Sequence, residues 1–207
     1  AASLSKFQHS IAQFVESNYY TPESDALKQR MIRRMTRYCD QVYAVNPDLL
    51  HVLGPKAKFI PYSHIFLDDW IPFYTQNQNR PLRIGHAPSH RRVKGTDFIL
   101  AVLDELAAEG LEFELVLVEG LSNKAARSQY EQIDLLIDQL HAGWYGGLAV
   151  EAMALGKPVM AYIREEDLCF IPDGMRTDLP ILKTSRETLK HELRRAITMP
   201  RTQLLAW

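Results

Sequence analysis

Residues 113–163 read FELVLVEGLSNKAARSQYEQIDLLIDQLHAGWYGGLAVEAMALGKPVMAYI, three apolar runs separated by two helical patterns. FELVLVE (Phe113 to Glu119) is a solid apolar strand, IDLLID (Ile133 to Asp138) a second and PVMAYI (Pro158 to Ile163) a third. Between them SNKAARSQYEQ has the composition of a short polar helix. GGLAVEAMAL has that of an apolar helix stopped by Gly156. Strands that are apolar along their whole length and alternate with helices belong to a parallel sheet covered on both faces. The expectation is a doubly wound α/β domain, whose ligands bind outside the carboxyl ends of the strands.

The neighbouring segments extend the same alternation. Upstream, LRIGHA from Leu82 is a strand, followed by a helix from about Thr96 to Glu109 that Gly110 ends. Downstream come PILKT and a helix from about Ser185, with a Thr184/Glu187 capping-box spacing. Residues 1–60 differ, with helical patterns and little strand pattern. Leu4, Phe7, Ile11, Phe14 and Val15 recur at helical spacing. A second helix over about 24–37 gathers Arg30, Arg33, Arg34 and Arg37 on one face. QVYAV (Gln41 to Val45) alternates like a short strand, and Asn46-Pro47 opens a short helix that Gly54 closes. Residues 61–81, rich in Pro, Asn, Gln and aromatics, read as a connector. The expected division is 1–80 and 81–207.

Composition narrows the function classes. The 207 residues are 46% hydrophobic and 24% charged, enough for a packed core and too apolar for a disordered chain. Lys+Arg 24 against Asp+Glu 25 leaves a net charge of −1, which disfavours a nucleic-acid coat or a polyacidic protein. Cys39 and Cys169 make no disulfide framework, so a reducing intracellular setting is expected. No signal segment opens the chain and no apolar run approaches the roughly 18 residues that span a bilayer. Residue 1 is Ala, which suggests a processed chain or a cut piece. The dinucleotide fingerprint, the serine-hydrolase elbow, His-Glu-x-x-His and paired Cys-x-x-Cys are all missing. Gly156-Lys157 mimics the end of a P-loop, but Pro158 stands where Ser/Thr is needed. His86 and His90 are four apart with Pro88 between, a poor metal-ligand geometry.

Two helix starts and one carboxylate survive this elimination. HRRVKGTDF, from His90, places Arg91, Arg92 and Lys94 just before a helix start, where cations are unfavourable by about 0.3–1 kcal/mol each. An anion held jointly by side chains and helix N–H groups would relieve that; a solvated basic turn offset by Asp97 is the plainer reading. The second start follows AGWYGG, where Gly146, Gly147 and Leu148 open an apolar helix that should be buried. That helix carries Glu151, and a buried carboxylate needs donors. A vicinal diol such as a ribose supplies two; an internal salt bridge, with an Arg of the amino-terminal zone, is the other possibility. Together these features suit a nucleoside diphosphate.

HAPSHRRVKGTDFILAVLDEL, YEQIDLLIDQL and GWYGGLAVEAMALGKPV in combination resemble family 4 (group 1) retaining glycosyltransferases of the GT-B fold, over about residues 39–197. That family has two Rossmann-like domains facing across a cleft. The resemblance assigns residues 81–207 to the carboxy-terminal, nucleotide-sugar-binding half and 1–80 to a helical remnant of the acceptor domain with its connector. It implies transfer of a sugar from a nucleoside diphosphate sugar to a polysaccharide or glycolipid acceptor, with retained configuration. Lys94, with Arg91 or Arg92, would bind the diphosphate, the amides of Gly146, Gly147 and Leu148 would hold phosphates, and Glu151 would bind the ribose. The family's other glutamate belongs at Gly143, and no acid from Gln139 to Val150 replaces it. The family's catalytic histidine lies in the missing part, so no catalytic residue is assigned. His86, at a strand end, is a candidate donor contact or a loop histidine. No cofactor or divalent metal is implied, and Asp68-Asp69 reads as a solvated turn. Expected partners are the donor, a saccharide or lipid-linked acceptor and the missing domain, with no nucleic acid. A cytoplasmic location is expected, at the inner membrane face if the Arg30/Arg33/Arg34/Arg37 row meets anionic lipid and not solvent alone. The Leu4/Phe7/Ile11/Phe14 stripe reads as packing. A sugar-nucleotide epimerase and a degenerate binding domain are the competing readings.

Overall fold

The leucine, isoleucine and valine runs at Leu82–His86, Leu135–Ile137 and Val159–Ala161 form strands buried along nearly their whole length, whereas the run at Phe113–Leu117 is only partly covered. The computed structural model describes residues 21–74 and 79–206. In chain order these form α1 (Pro22–Tyr38), β1 (Val42–Ala44), a 3-10 turn (Pro47–Leu49), α2 (Leu50–Leu53), β2 (Ala57–Phe59), a 3-10 turn (Leu67–Asp69) and β3 (Leu82–His86). Then come α3 (Arg91–Lys94), α4 (Thr96–Ala108), β4 (Phe113–Leu117), α5 (Asn123–Gln132), β5 (Leu135–Ile137) and α6 (Gly147–Ala154). The chain finishes with β6 (Val159–Ala161), a 3-10 segment (Glu165–Phe170), α7 (Asp173–Thr177), β7 (Leu182–Lys183), α8 (Leu189–Thr198) and α9 (Arg201–Leu204). The stripe from Leu4 to Val15 lies outside the described residues.

Two compact units emerge: residues 21–63 with His141–Trp144 and Arg164–Leu179, and His64–Leu140 with Tyr145–Ile163 and residues 180–206. In the first, Thr21 and Ser24 cap α1 reciprocally, each side chain accepting the other's backbone N–H at 3.1 Å. β1 and β2 pair in parallel, Val42 opposite Ala57. Buried Asp167 accepts from Arg164 Nε at 2.6 Å and pairs with His51 Nε2 at 3.0 Å. Phe59 meets the ring of Trp144 edge to face.

The second unit holds a five-stranded, fully parallel sheet in the order β4-β3-β5-β6-β7. Leu82, Ile84, Leu135, Ile137 and Met160 from its strands pack with Ile99 and Leu106 of α4 and Leu189 and Leu193 of α8 in one buried core. The chain runs outward from β3 to β4, then returns to β5 on the other side of β3 and continues to β6 and β7. The direction of winding therefore reverses between β3 and β5, and the segments leaving their carboxyl ends are residues 87–95 and 138–146. That reversal point is where an open α/β sheet binds ligands.

Most expected elements are present; the strands are shortened at their ends, whereas α1 is longer than expected. β2, α3, α7 and α9 went unpredicted because each is three to five residues long, too short for a periodicity to register. The Thr184/Glu187 cap is replaced: the Thr184 hydroxyl donates to Leu182 C=O, and Ser185 N–H donates to the Thr188 hydroxyl, so the helix starts four residues later than expected.

Candidate functional site

The basic segment after β3 is a helical turn of its own. His90 caps α3, and Gly95, at φ 79°, both ends α3 and begins α4. Gly95 is needed there because a left-handed residue must turn the chain between two helices with no linker. Arg91, Arg92 and Lys94 thus belong to the single turn of α3, Arg91 and Arg92 at its start and Lys94 at its end. Lys94 still directly precedes Gly95, the residue from which α4 starts. Arg91 is half-exposed and binds Glu119 with Nη1–oxygen distances of 2.7 and 3.0 Å, and Asp97 lies 3.7 Å from its Nε. Arg92 is exposed on the same turn.

Lys94 is the buried member. Its Nζ lies 2.6 Å from Asp138 Oδ1, and Asp138, fully buried at the end of β5, uses Oδ2 to accept the Gly146 N–H at 2.6 Å. One carboxylate therefore ties the lysine of the β3 side to the start of the α6 helix on the β5 side, across the winding reversal. The backbone reinforces it, with Leu140 N–H donating to Lys94 C=O. A Cβ on Gly146 would stand 3.2 Å from Lys94 Nζ and 3.4 Å from Asp138 Oδ2, so a larger residue there would press on the ion pair. An ammonium has three N–H donors, and Asp138 uses one.

The rest of the helix start is lined by His64 and Glu151. A Cβ on Gly147 would lie 3.1 Å from the His64 ring, and His64 Nε2 is 3.3 Å from Glu151 Oε1. Glu151 stands one turn after Gly147, hence on the same face. It is partly exposed, at 27% of its side chain, so the expected burial is corrected, and its partner is a histidine of the connector in place of an arginine. Leu148 is half-buried, and the N–H groups of Gly147 and Leu148 belong to the first turn, which has no intrahelical acceptors. Glu151 also forms one wall of a cleft of about 360 Å³ that includes Trp70, Asn123, Lys124, Arg127 and Tyr130. The Arg127 guanidinium stacks 4.4 Å above the Trp70 ring. Burial, and then the charge of Glu151, raise the Tyr130 phenol above its usual range, so it stays a neutral donor.

Several sequence candidates fall elsewhere. His86 is fully buried with both nitrogens engaged, Nδ1 at 2.8 Å from Ile137 C=O and Nε2 at 2.9 Å from the Thr96 hydroxyl. Burial lowers its pKa, so the neutral ring donates from Nδ1 and accepts at Nε2, clamping β3 to β5 and α4 and leaving nothing for a ligand. Asp68 and Asp69 are exposed on a single 3-10 turn. Gly143 packs against Arg164, whose Cβ would be 2.8 Å from any Cβ placed there, so the site of the expected glutamate has no room for one without a shift. Among the described residues, no three His, Cys, Asp or Glu side chains cluster as metal ligands. No helix among them is long and apolar enough to cross a membrane.

Asp138, His64, Trp70, Arg127 and Tyr130 escaped the sequence reading. Asp138 had a signal: a charge ending the apolar run IDLLID, where a central parallel strand tolerates none without a partner. The other four carry none, because only tertiary proximity to Glu151 or its cleft distinguishes them.

No protein-family profile matches the sequence, and no curated protein matches it. Among solved structures, the chain is similar to a point mutant of S. aureus TarM crystallised with fondaparinux, alpha-GlcNAc-glycerol and UDP. The identity is 14% and the TM-score 0.51, over 94% of this chain and 41% of that one. The chain thus spans less than half the length of that protein, and the likeness is one of fold, that of a GT-B glycosyltransferase domain.

Proposed function

We propose that this chain is the donor-binding portion of a glycosyltransferase that moves a sugar from a nucleoside diphosphate sugar to a polysaccharide or glycolipid acceptor, with retention. The observation that carries this reading is the assembly of Lys94, Gly146, Gly147 and Glu151 around one helix start at the winding reversal of the sheet. The diphosphate rests against the N–H groups of Gly147 and Leu148 and the two remaining protons of the Lys94 ammonium. Asp138 keeps that ammonium aimed at the helix start. Glu151 leaves His64 to accept the ribose hydroxyls, and the cleft beside Trp70 and Tyr130 receives the base. Bond breaking then gains from stabilisation of the departing diphosphate by the same groups. Arg91 and Arg92 serve the approach of the anion from the exposed turn. Residues 81–207 are the donor domain in this reading.

Titration calorimetry with UDP, GDP and the matching nucleosides tests it. Glu151→Ala weakens nucleoside and nucleoside diphosphate alike, by about 1–3 kcal/mol; Lys94→Ala weakens the diphosphate alone. Failure of every nucleotide to bind, or an unchanged affinity in folded Glu151→Ala protein, refutes the assignment. One observation favours a second reading, a domain that binds nucleotide without turnover: the packing of Gly143 against Arg164 where the family resemblance calls for a carboxylate. Product formation from donor and acceptor, measured with the whole enzyme, separates the two.

A further inference from the structure

The proposed activity leaves α1 without a role, and its surface is unusual. Leu27, Met31, Met35 and Tyr38 follow helical spacing down one face and are 57, 55, 64 and 78% exposed. An amphipathic helix on a globular unit normally turns its apolar stripe inward. Here the inward side is another one, formed by Asp25, Lys28, Gln29, Ile32 and Thr36, which are buried or half-buried. Alongside the outward apolar stripe run Arg30, Arg33, Arg34 and Arg37, all exposed, and none of them has a carboxylate within ion-pair distance among the described residues. From Ala26 to Tyr38 the helix has no acidic residue at all.

We propose that this outward half of α1 lies on an anionic bilayer surface. Leu27, Met31, Met35 and Tyr38 enter the boundary between headgroups and acyl chains, and the four guanidinium groups bind lipid phosphates. Charge complementarity selects this occupant. A nucleic acid would use the arginine row and leave four large apolar side chains without a partner. An apolar protein groove would take the stripe but would have to supply acidic groups along its whole flank. An anionic lipid surface offers both chemistries side by side. The inference stands apart from the nucleotide site and does not depend on it.

The test is co-sedimentation of the chain with vesicles of phosphatidylcholine alone and of phosphatidylcholine mixed with phosphatidylglycerol. Binding is expected to the mixed vesicles, little to the neutral ones, and release is expected as salt is raised through the screening range. Arg33→Glu/Arg34→Glu and Met31→Ser/Met35→Ser should each weaken binding at least about tenfold. All four positions are exposed, and circular dichroism checks each fold; should a variant unfold, the lipid and salt series on the unaltered chain decide alone. Equal binding to neutral vesicles, no binding to the mixed ones, or full binding by Met31→Ser/Met35→Ser overturns the proposal. The last of these outcomes would mark a cation row for an anionic polymer.

Discussion

Asp138 and His86 show how much of the structure rests on single polar side chains inside an apolar sheet. Asp138 is an anion that the chain supplies to its own helix start, and Lys94 is the cation that makes its burial tolerable. Removing one member strands the other, so Asp138→Ala is expected to lower stability by about 3–5 kcal/mol, measured by urea unfolding. The paired variant with Lys94→Ala should cost less than the sum of the two single changes, because the stranded charge is gone. His86 makes a prediction of opposite character. Its folded pKa lies below the usual value because burial disfavours the charged ring. Its contribution is therefore complete above the unfolded pKa of about 6.5 and is lost as pH falls from there toward the folded value. Urea midpoints followed downward from pH 7 should decline, and His86→Asn should flatten that slope while lowering stability near neutrality. An unflattened slope would locate the pH sensitivity in other groups.

Among the secondary elements, β3 is the one the sheet is built around. It pairs with β4 on one side and β5 on the other, and Gly85 within it faces Ile133 so closely that an added Cβ would lie 2.6 Å from Ile133 Cδ1. Gly85→Ala is expected to destabilise by about 1–3 kcal/mol through overpacking, read as a shifted denaturation midpoint. Restoring space with Ile133→Val should recover part of the loss. α6 illustrates a different constraint. Its sequence is apolar, yet only Ala149 and Ala152 are buried within it, and its first residue, Gly147, faces the His64 ring. The outward stripe of α1 is the same kind of departure, an apolar pattern that the fold leaves uncovered.

For the whole molecule, the sheet's winding order is the decisive feature. It brings residues 87–95 and 138–146, about fifty positions apart in sequence, to one edge, and it does so whatever their side chains. Binding energy at that edge should therefore be felt by the sheet. Saturating UDP at a hundred times its dissociation constant should raise unfolding free energy by about 2.7 kcal/mol. The accompanying hydrogen-exchange protection should centre on β3, β5 and the start of α6, and protection confined to other elements would place the nucleotide elsewhere.

Sequence alone carried the α/β class, the parallel sheet and the strand positions of the five-stranded sheet, and it singled out Lys94, Gly146, Gly147 and Glu151, which the fold gathers at one helix start. Those are local or periodic properties, since a buried strand is apolar along its length and glycine eases a tight approach to a helix start. What the tertiary structure decided is who meets whom. It gave Lys94 to Asp138 and Glu151 to His64, closed His86 into the core, packed Arg164 over Gly143 and turned the methionines of α1 outward. Partners of this kind lie tens of residues apart, and their pairing follows from chain topology and excluded volume, which no spacing along the chain encodes.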